Sequence, residues 1–277
     1  MKFQAWTIVC LLGAVCGTVR AQSPRDGEQA LRAAVMKHQL YLRGFGADAE
    51  MRWKWNGEAL VEERPTIRMF GTFLAGSVIV TGDKVEIRGE LHAPLEKKDS
   101  TLVLAEASDD VMITVDLTGA DVGRLLPQLP GLLFYPDSMT ALADLPEPYR
   151  TLLPEKVGAG LLKAGPPADK SCDCTTKCGK PFATVTMSGM ARPKVRSDVE
   201  PEYTYEAGAN KYDGIVQVGV EVNTFGRPQD FWILRAAGMG LDQNAAKAVS
   251  EYIYAPPTCH GQPTALWLVV DVHFRIY

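Results

Sequence analysis

The chain has 277 residues, a formal net charge of -4 and an apolar content of 46%. That length is sufficient for one or two domains, each with a hydrophobic core. The mild acidity argues against nucleic acid as a partner, because binding to phosphates requires a basic face.

Residues 1–21 have the pattern of a secretory signal peptide. Lys2 gives a positive start, an apolar stretch without acids runs from Phe3 to Val19, and small residues precede a cut ahead of Gln22. The apolar stretch is shorter than the roughly 20 residues that a spanning helix needs. We therefore expect an exported, periplasmic protein. An uncleaved membrane anchor is the alternative, and the protein is membrane-associated only if this leader is retained.

The predicted first domain, residues 22–165, is rich in strands. Apolar residues follow helical spacing in Gln29–His38, and after it they alternate along the chain. Asn56-Gly57 and Gly82-Asp83 predict hairpin turns, because tight hairpin turns require residues that adopt a positive φ. The predicted strands are Leu40–Phe45, Met51–Trp55, Ala59–Glu62, Ser77–Thr81, Lys84–Gly89, Thr101–Ala105 and Val111–Leu117. We expect about seven antiparallel strands in a curved sheet or partial barrel.

Three features are predicted to interrupt or end these strands. Ser108-Asp109-Asp110 is interpreted as a turn, and Thr118 is expected to cap a short helix that ends before Pro127. From Leu129 to Pro167, prolines recur without an apolar period. That stretch predicts an irregular connection, which leads into a linker and cysteine segment at residues 166–200.

Four cysteines follow the leader: Cys172, Cys174, Cys178 and Cys259. An even number in an exported chain favours disulfides, and three pairings are possible. The clustered thiols, with His260 beside the fourth cysteine, are also compatible with a zinc site. We expect two disulfides and neither a metal nor another cofactor.

The last part of the chain, residues 201–277, predicts a small α+β domain. The predicted elements are a strand Gly214–Val222 with its four valines on one face, a return strand Phe231–Leu234, a helix capped by Asp242 that runs to Tyr252, and a last strand Ala265–Ile276. In this order of strand, strand, helix and strand, one helix can cover the single buried face of the sheet.

Seven short motifs follow one another along this segment. They are Pro201-Glu202-Tyr203, Gly214-Ile215-Val216, Asn223-Thr224-Phe225-Gly226, Leu241-Asp242-Gln243-Asn244-Ala245, Tyr252-Ile253-Tyr254-Ala255-Pro256, Gly261-Gln262-Pro263 and Phe274. In order and spacing they resemble the TonB C-terminal domain family, although Tyr252 stands where that family usually has Trp. The resemblance implies a module without a catalytic centre, linked to transport across the outer membrane. It also implies capture of an extended peptide or protein segment, such as part of an outer-membrane receptor, by strand addition.

The last strand carries the predicted partner-binding residues. Its apolar face is expected to lie against the helix, which leaves Trp267, Val269, Asp271 and His273 on an exposed face beside an open edge. The alternative is that Tyr203–Asn210 or the cysteine segment folds back and occupies this edge. The sequence does not indicate an oligomeric state.

Two other functions remain open from the sequence. One is a membrane-anchored TonB energy transducer, although the β-rich domain occupies the place of the long Pro-rich spacer which that function needs. The other is a ligand or lipid carrier in the β-rich domain, where Trp53 and Trp55 are either core residues or a binding surface. The chain contains no P-loop, His-Glu-x-x-His or nucleophile-elbow motif, and we expect no enzymatic activity.

Overall fold

The computed structural model of the chain describes residues 24–96, 102–146 and 189–275. The predicted signal peptide, most of the proline-containing connection and the three clustered cysteines Cys172, Cys174 and Cys178 lie outside the described residues. Their processing and pairing therefore stay predictions.

The described residues form six α-helices, two 3₁₀ turns and sixteen strands. The helices are α1 Pro24–Val35, α2 Val122–Leu125, α3 Leu129–Leu133, α4 Ser138–Ala143, α5 Tyr205–Ala209 and α6 Leu241–Ser250, and the 3₁₀ turns are Arg43–Phe45 and Leu126–Gln128. The first eight strands are β1 Gln39–Leu42, β2 Glu50–Trp55, β3 Leu60–Glu62, β4 Ile67–Met69, β5 Thr72–Thr81, β6 Lys84–Glu96, β7 Leu102–Asp116 and β8 Phe134–Tyr135. The others are β9 Met190–Ala191, β10 Val195–Ser197, β11 Gly214–Val222, β12 Pro228–Arg235, β13 Ile253–Tyr254, β14 Thr258–Cys259, β15 Gln262–Pro263 and β16 Leu266–Phe274.

Seven strands of the N-terminal part form one curled sheet, a half-barrel, in the order β3-β2-β7-β6-β5-β1-β8. Helix α1 and the helical segment from α2 to α3 pack against this sheet and bury Leu31, Val35, Leu126 and Leu129. The predicted curved β-rich sheet is therefore confirmed. One detail differs, because β2 pairs with β7 in parallel rather than antiparallel orientation.

The sequence predicted a turn at Ser108-Asp109-Asp110, and this prediction is wrong. The three residues are part of the continuous strand β7. Ser108 pairs with Leu91 of β6, and the register shifts on both sides of Leu91. These irregularities absorb the polar residues and leave Asp109 and Asp110 exposed, so that pairing continues past them.

The helical segment after β7 also differs from the prediction. Asp121, rather than Thr118, caps α2 by accepting a hydrogen bond from the Arg124 N–H at 3.1 Å. Pro127 lies at the start of a 3₁₀ turn, where its missing N–H is not needed, and the chain continues into α3. The expected irregular stretch therefore begins with short helices.

The C-terminal part contains a four-stranded sheet in the order β16-β11-β12-β4. Strands β16, β11 and β12 are antiparallel neighbours, and α6 packs on β11 and β12. The alternating valines of β11, Val216, Val218, Val220 and Val222, are all fully buried. The predicted order of strand, strand, helix and strand is confirmed.

The fourth strand of this sheet comes from the N-terminal part of the chain and was not predicted. β4 pairs in parallel orientation with β12, with Ile67 opposite Phe231 and Met69 opposite Ile233. Its three residues are too few to show a period in the sequence. The half-barrel region therefore closes one edge of the C-terminal sheet.

The sequence predicted that Asp242 caps α6, but the residue at the N-cap position is Gly240. Gly240 precedes the helix in a left-handed conformation, with a φ of 71°, and provides no side-chain cap. The Asp242 side chain is completely buried, and its carboxylate accepts hydrogen bonds from the N–H groups of Ala237 at 2.7 Å and Gly238 at 3.1 Å. Asp242 thus fixes the chain that leads into the helix.

A second hydrophobic cluster joins the two parts of the molecule. It consists of Phe45, Phe70, Tyr135, Ala141, Leu142, Leu145, Trp232, Leu234 and Trp267. Phe45 and Trp232 have ring centres 5.8 Å apart, and Gly240 donates a backbone hydrogen bond to the Ala107 carbonyl at 3.2 Å. The C-terminal sheet is therefore packed on both faces, by α6 on one side and by the N-terminal part on the other.

Candidate partner-binding edge

Strand β16 is the longest regular edge of the C-terminal sheet. It pairs with β11 through nine consecutive residue pairs, from Gly214 opposite Phe274 to Val222 opposite Leu266, without a register shift. Its valines and aromatic residues favour extended structure. The result is a regular nine-residue strand at the edge of the described sheet.

No strand in the part of the chain that the structure describes pairs with that outer side. The alternative was that Tyr203–Asn210 or the cysteine segment folds back onto this edge. Within the first of these, residues 205–209 form helix α5. The cysteine segment lies outside the described residues. Edges of this kind accept a further strand, because their N–H and C=O groups are unpaired.

The face of β16 towards α6 is the apolar face that the sequence predicted. Leu266, Leu268, Val272 and Phe274 are buried, and Val270 is partly buried against the same core. This face anchors β16 to the sheet.

The opposite face of β16 is only half exposed, which corrects the prediction for Trp267. Trp267 is 1% exposed and belongs to the cluster shared with the N-terminal part, and Val269 packs partly against that cluster. Asp271 and His273, further along the strand, are exposed as expected. Alternation within one strand predicts which residues share a face, but it does not show that a distant segment covers part of that face.

Asp271 is the acidic group on the exposed half of this face. One of its carboxylate oxygens accepts a hydrogen bond from the Gln217 side chain at 2.9 Å. Gln217 is a residue of β11. It lies directly opposite Asp271 of β16 on one side and opposite Arg235 of β12 on the other. A carboxylate has further acceptor capacity, which an added strand can use.

The other edge of the sheet is closed by β4 through polar contacts as well as backbone pairing. The Arg68 guanidinium lies 2.5 Å from the Asp230 carboxylate and 5.8 Å from the centre of the Trp232 ring. Both members of the ion pair are largely buried. Arg64 adds a second cation, 3.4 Å from the same Asp230 oxygen.

Asp48 holds the start of β4 in place. Its carboxylate accepts hydrogen bonds from the N–H groups of Thr66 at 2.6 Å and Ile67 at 3.1 Å. Burial raises the pKa of Asp48, whereas these two hydrogen bonds and the nearby Arg68 charge oppose the rise. Asp48 thus links the loop before β4 to the half-barrel.

Glu62 is a second acid near β4. Its carboxylate lies so close to Gly44 that a Cβ on that glycine would come within 1.9 Å of Oε2. Its Oε1 is buried and has no hydrogen-bond partner among the described residues. The pKa of Glu62 is raised to about 7, chiefly by burial; the Arg68 charge opposes the rise, and the Asp48 charge adds to it.

The remaining candidates from the sequence do not converge on one place. Trp53 is a core residue, whereas Trp55 lines a separate groove with Leu60 and Arg124. Cys259 is buried on β14. Among the described residues, no group of three or more His, Cys, Asp or Glu side chains is placed to hold a metal ion, and no helix is long and apolar enough to cross a membrane.

Comparisons with known proteins bear on this module. The antiparallel strands β16, β11 and β12 with the covering helix α6 define a small α+β module. Residues 199–276 match the family described as Gram-negative bacterial TonB protein C-terminal, so this segment is a TonB C-terminal domain. The match covers less than a third of the chain, and the family is transport-associated and non-enzymatic.

Other comparisons add little to that assignment. A solution NMR structure of the Pseudomonas aeruginosa TonB C-terminal domain is 22% identical and covers 32% of this chain and 88% of its own. Its TM-score is 0.27, too low for a structural argument. No curated protein matches the chain.

Proposed function

We propose that this protein is a periplasmic, non-enzymatic binding protein that captures an extended segment of a partner protein at strand β16. The observation that carries the proposal is the sheet order β16-β11-β12-β4. The chain closes one edge of its TonB C-terminal domain with β4 and, within the described residues, leaves the long edge of β16 open.

Strand addition fits this edge physically. Main-chain hydrogen bonds would supply affinity along β16, and side chains that alternate between the two faces would supply selectivity. Val270 on one face and Val269, Asp271 and His273 on the other are the groups that a neighbouring strand would meet. Trp267 would support the edge from below rather than contact the partner.

The class of partner follows from the domain family. TonB C-terminal domains interact with proteins such as outer-membrane receptors. We therefore propose a role connected with outer-membrane transport in which a receptor segment, or another envelope protein, supplies the added strand. This role involves neither a cofactor nor nucleic acid.

Site-specific crosslinking tests the proposal. A photoreactive residue at His273, on the exposed part of β16, should crosslink envelope proteins through one extended segment that peptide mapping can identify. The same group at Glu251, exposed at the end of α6, is the matched control. Equal crosslinking from both positions, or crosslinking from position 251 alone, would argue against β16 as the binding edge.

The proposed location depends on removal of the leader. Cleavage after Ala21 should give a mature chain that starts at Gln22, with a formal net charge of -6 because Lys2 and Arg20 are lost. Mass spectrometry of the protein from its native envelope measures this directly. A mature chain that retains residues 1–21 would favour the alternative, a membrane-anchored transducer.

We also propose that the four mature cysteines form two disulfides, one of which joins the segment Cys172–Cys178 to Cys259. Burial of Cys259 on β14 is compatible with such a link. A bridge that closes such a long loop is expected to stabilise the fold by up to roughly 4 kcal/mol. Non-reducing peptide mapping should show both bridges, whereas four alkylatable thiols or stoichiometric zinc would exclude them.

One observation favours a second candidate function, a ligand carrier. A groove of about 510 Å³ lies between the β2–β3 hairpin and the helical segment, lined by Trp55, Leu60, Leu125 and Leu132 with Arg124 and Gln128. Its size suits a small molecule. Saturable binding of a small apolar dye that Trp55→Ala abolishes would support this function, and it is compatible with strand addition at β16.

A further inference from the structure

The strand that the chain adds to its own sheet shows which residues this sheet accepts at an edge. β4 has the sequence Ile67-Arg68-Met69, in which the two apolar residues are buried. Arg68 lies opposite Trp232, and its guanidinium pairs with the Asp230 carboxylate at 2.5 Å. An apolar–basic–apolar triplet, with its basic residue paired to an aspartate, thus closes the β12 edge.

The residue pairing shows that Arg68 and Asp271 lie on the same face of the sheet. Trp232, the partner of Arg68, lies opposite Gly219, and Gly219 lies opposite Val269 on β16. Asp271 is two residues beyond Val269, so the two side chains point to the same side. The same face therefore has a basic residue on the strand added at one edge and an exposed acid at the other edge.

Asp271 lies between two apolar residues of β16, as Arg68 does in β4. Val272 is buried and Val270 is partly buried on the opposite face of the strand. An added strand would place apolar residues beside these valines and its intervening residue beside Asp271. Opposite charges on neighbouring strands stabilise the pairing, and like charges destabilise it.

We propose that the β16 edge selects a partner segment in which a lysine or arginine lies beside Asp271, between two apolar residues. The partner is thus an extended peptide with the pattern apolar–basic–apolar, the pattern that β4 itself carries. This inference rests on the proposed strand addition and specifies the chemistry of the strand that is added.

The test uses the full mature chain and three blocked nonapeptides. In each peptide, Ile-X-Met is flanked by alternating threonine and valine, and X is arginine, glutamine or glutamate. Binding is measured by fluorescence anisotropy at low salt. The arginine peptide should bind about fivefold more tightly than the glutamate peptide, with glutamine between them, as expected for one exposed charge pair.

Charge reversal at β16 is the decisive variant. Asp271 is exposed, so Asp271→Lys should fold, which circular dichroism can check, and it should reverse the order of the arginine and glutamate peptides. Asp271→Asn should remove the preference. Glu251→Lys makes the same change of charge at the end of α6 and should leave the order unchanged.

The outcomes separate this inference from the function on which it rests. If arginine and glutamate peptides bind equally while the β16 amides gain hydrogen-exchange protection, the charge rule is wrong and strand addition stands. If no peptide protects β16, both are wrong. If β16 gains protection with rising protein concentration alone, together with dimers in ultracentrifugation, the occupant is a second copy of the chain and the proposal is overturned.

Discussion

Glu62 is the last residue of β3, and its carboxylate lies against Gly44 in the 3₁₀ turn Arg43–Phe45. Burial raises its pKa in the folded protein to about 7, whereas an unfolded chain has a glutamate pKa of about 4.3. The folded state therefore binds a proton that the unfolded state releases over this range. Its stability should fall as pH rises from about 4.5 to about 7 and then stay constant.

Glu62→Gln should remove this pH dependence, because glutamine has the same shape and does not ionise. The wild type should lose unfolding free energy between pH 5 and pH 8, and the variant should not. The difference between variant and wild type should therefore shift in favour of the variant by on the order of 1–2 kcal/mol over this range. Urea denaturation at both pH values measures the gain. Glu58→Gln, at an exposed position in the same hairpin, is the control. If Glu62→Gln differs from the wild type by the same unfolding free energy at both pH values, Glu62 does not have the raised pKa.

Asp242 depends on both of its carboxylate oxygens. Asp242→Asn keeps one acceptor and places an amide donor against the N–H of Ala237 or Gly238. We expect a loss of about 1–3 kcal/mol in unfolding free energy, the cost of leaving a buried donor unsatisfied. Chemical denaturation of the variant would show this loss, with Glu251→Gln, at the exposed residue that follows α6, as the control. Unchanged stability would mean that the loop before α6 does not need these bonds.

Strand β4 is short, and its side-chain contacts should contribute much of its stability on the sheet. Arg68→Gln and Asp230→Asn should each destabilise the protein by about 1–3 kcal/mol, because each variant removes one partner of a largely buried ion pair. The double variant should lose less than the sum of the two single variants. A double-mutant cycle of unfolding free energies measures the coupling, and strictly additive losses would show that the pair does not hold β4.

Elements with a clear period could be predicted from the sequence, and short or irregular ones could not. Four valines alternate along the nine-residue strand β11, and the predicted bounds matched the strand to the residue. β4 has three residues and takes its structure from β12, so no local pattern marks it. β7 was divided at its polar residues because a bulge supported by a neighbouring strand has the same composition as a turn.

At the scale of the molecule, the TonB C-terminal domain is not packed as an independent unit. The N-terminal part supplies β4 and covers Trp232, Leu234 and Trp267. A fragment of residues 199–277 should therefore expose these side chains, bind more hydrophobic dye and melt at a lower temperature than the full chain. Dye fluorescence and thermal unfolding measure both effects. A fragment that matches the full chain in melting temperature and dye binding would contradict this account.

The same packing explains why the candidate site was only partly predicted. The faces of β16 follow from alternation, which correctly placed Asp271 and His273 on an exposed surface. Trp267 shares their face but is buried by residues more than a hundred positions earlier in the chain, including Phe45 and Phe70. Such a contact depends on tertiary structure, and a single sequence carries no local signal for it.

Hydrogen exchange along β16 tests the central claim most directly. The full mature chain is measured alone and with a partner segment identified by crosslinking, and amide exchange is followed by mass spectrometry or NMR. The account predicts that amides within residues 266–274 gain protection when the segment binds, because the added strand pairs with the outer side of β16. A partner that binds with full affinity and leaves the exchange of this strand unchanged would contradict strand addition.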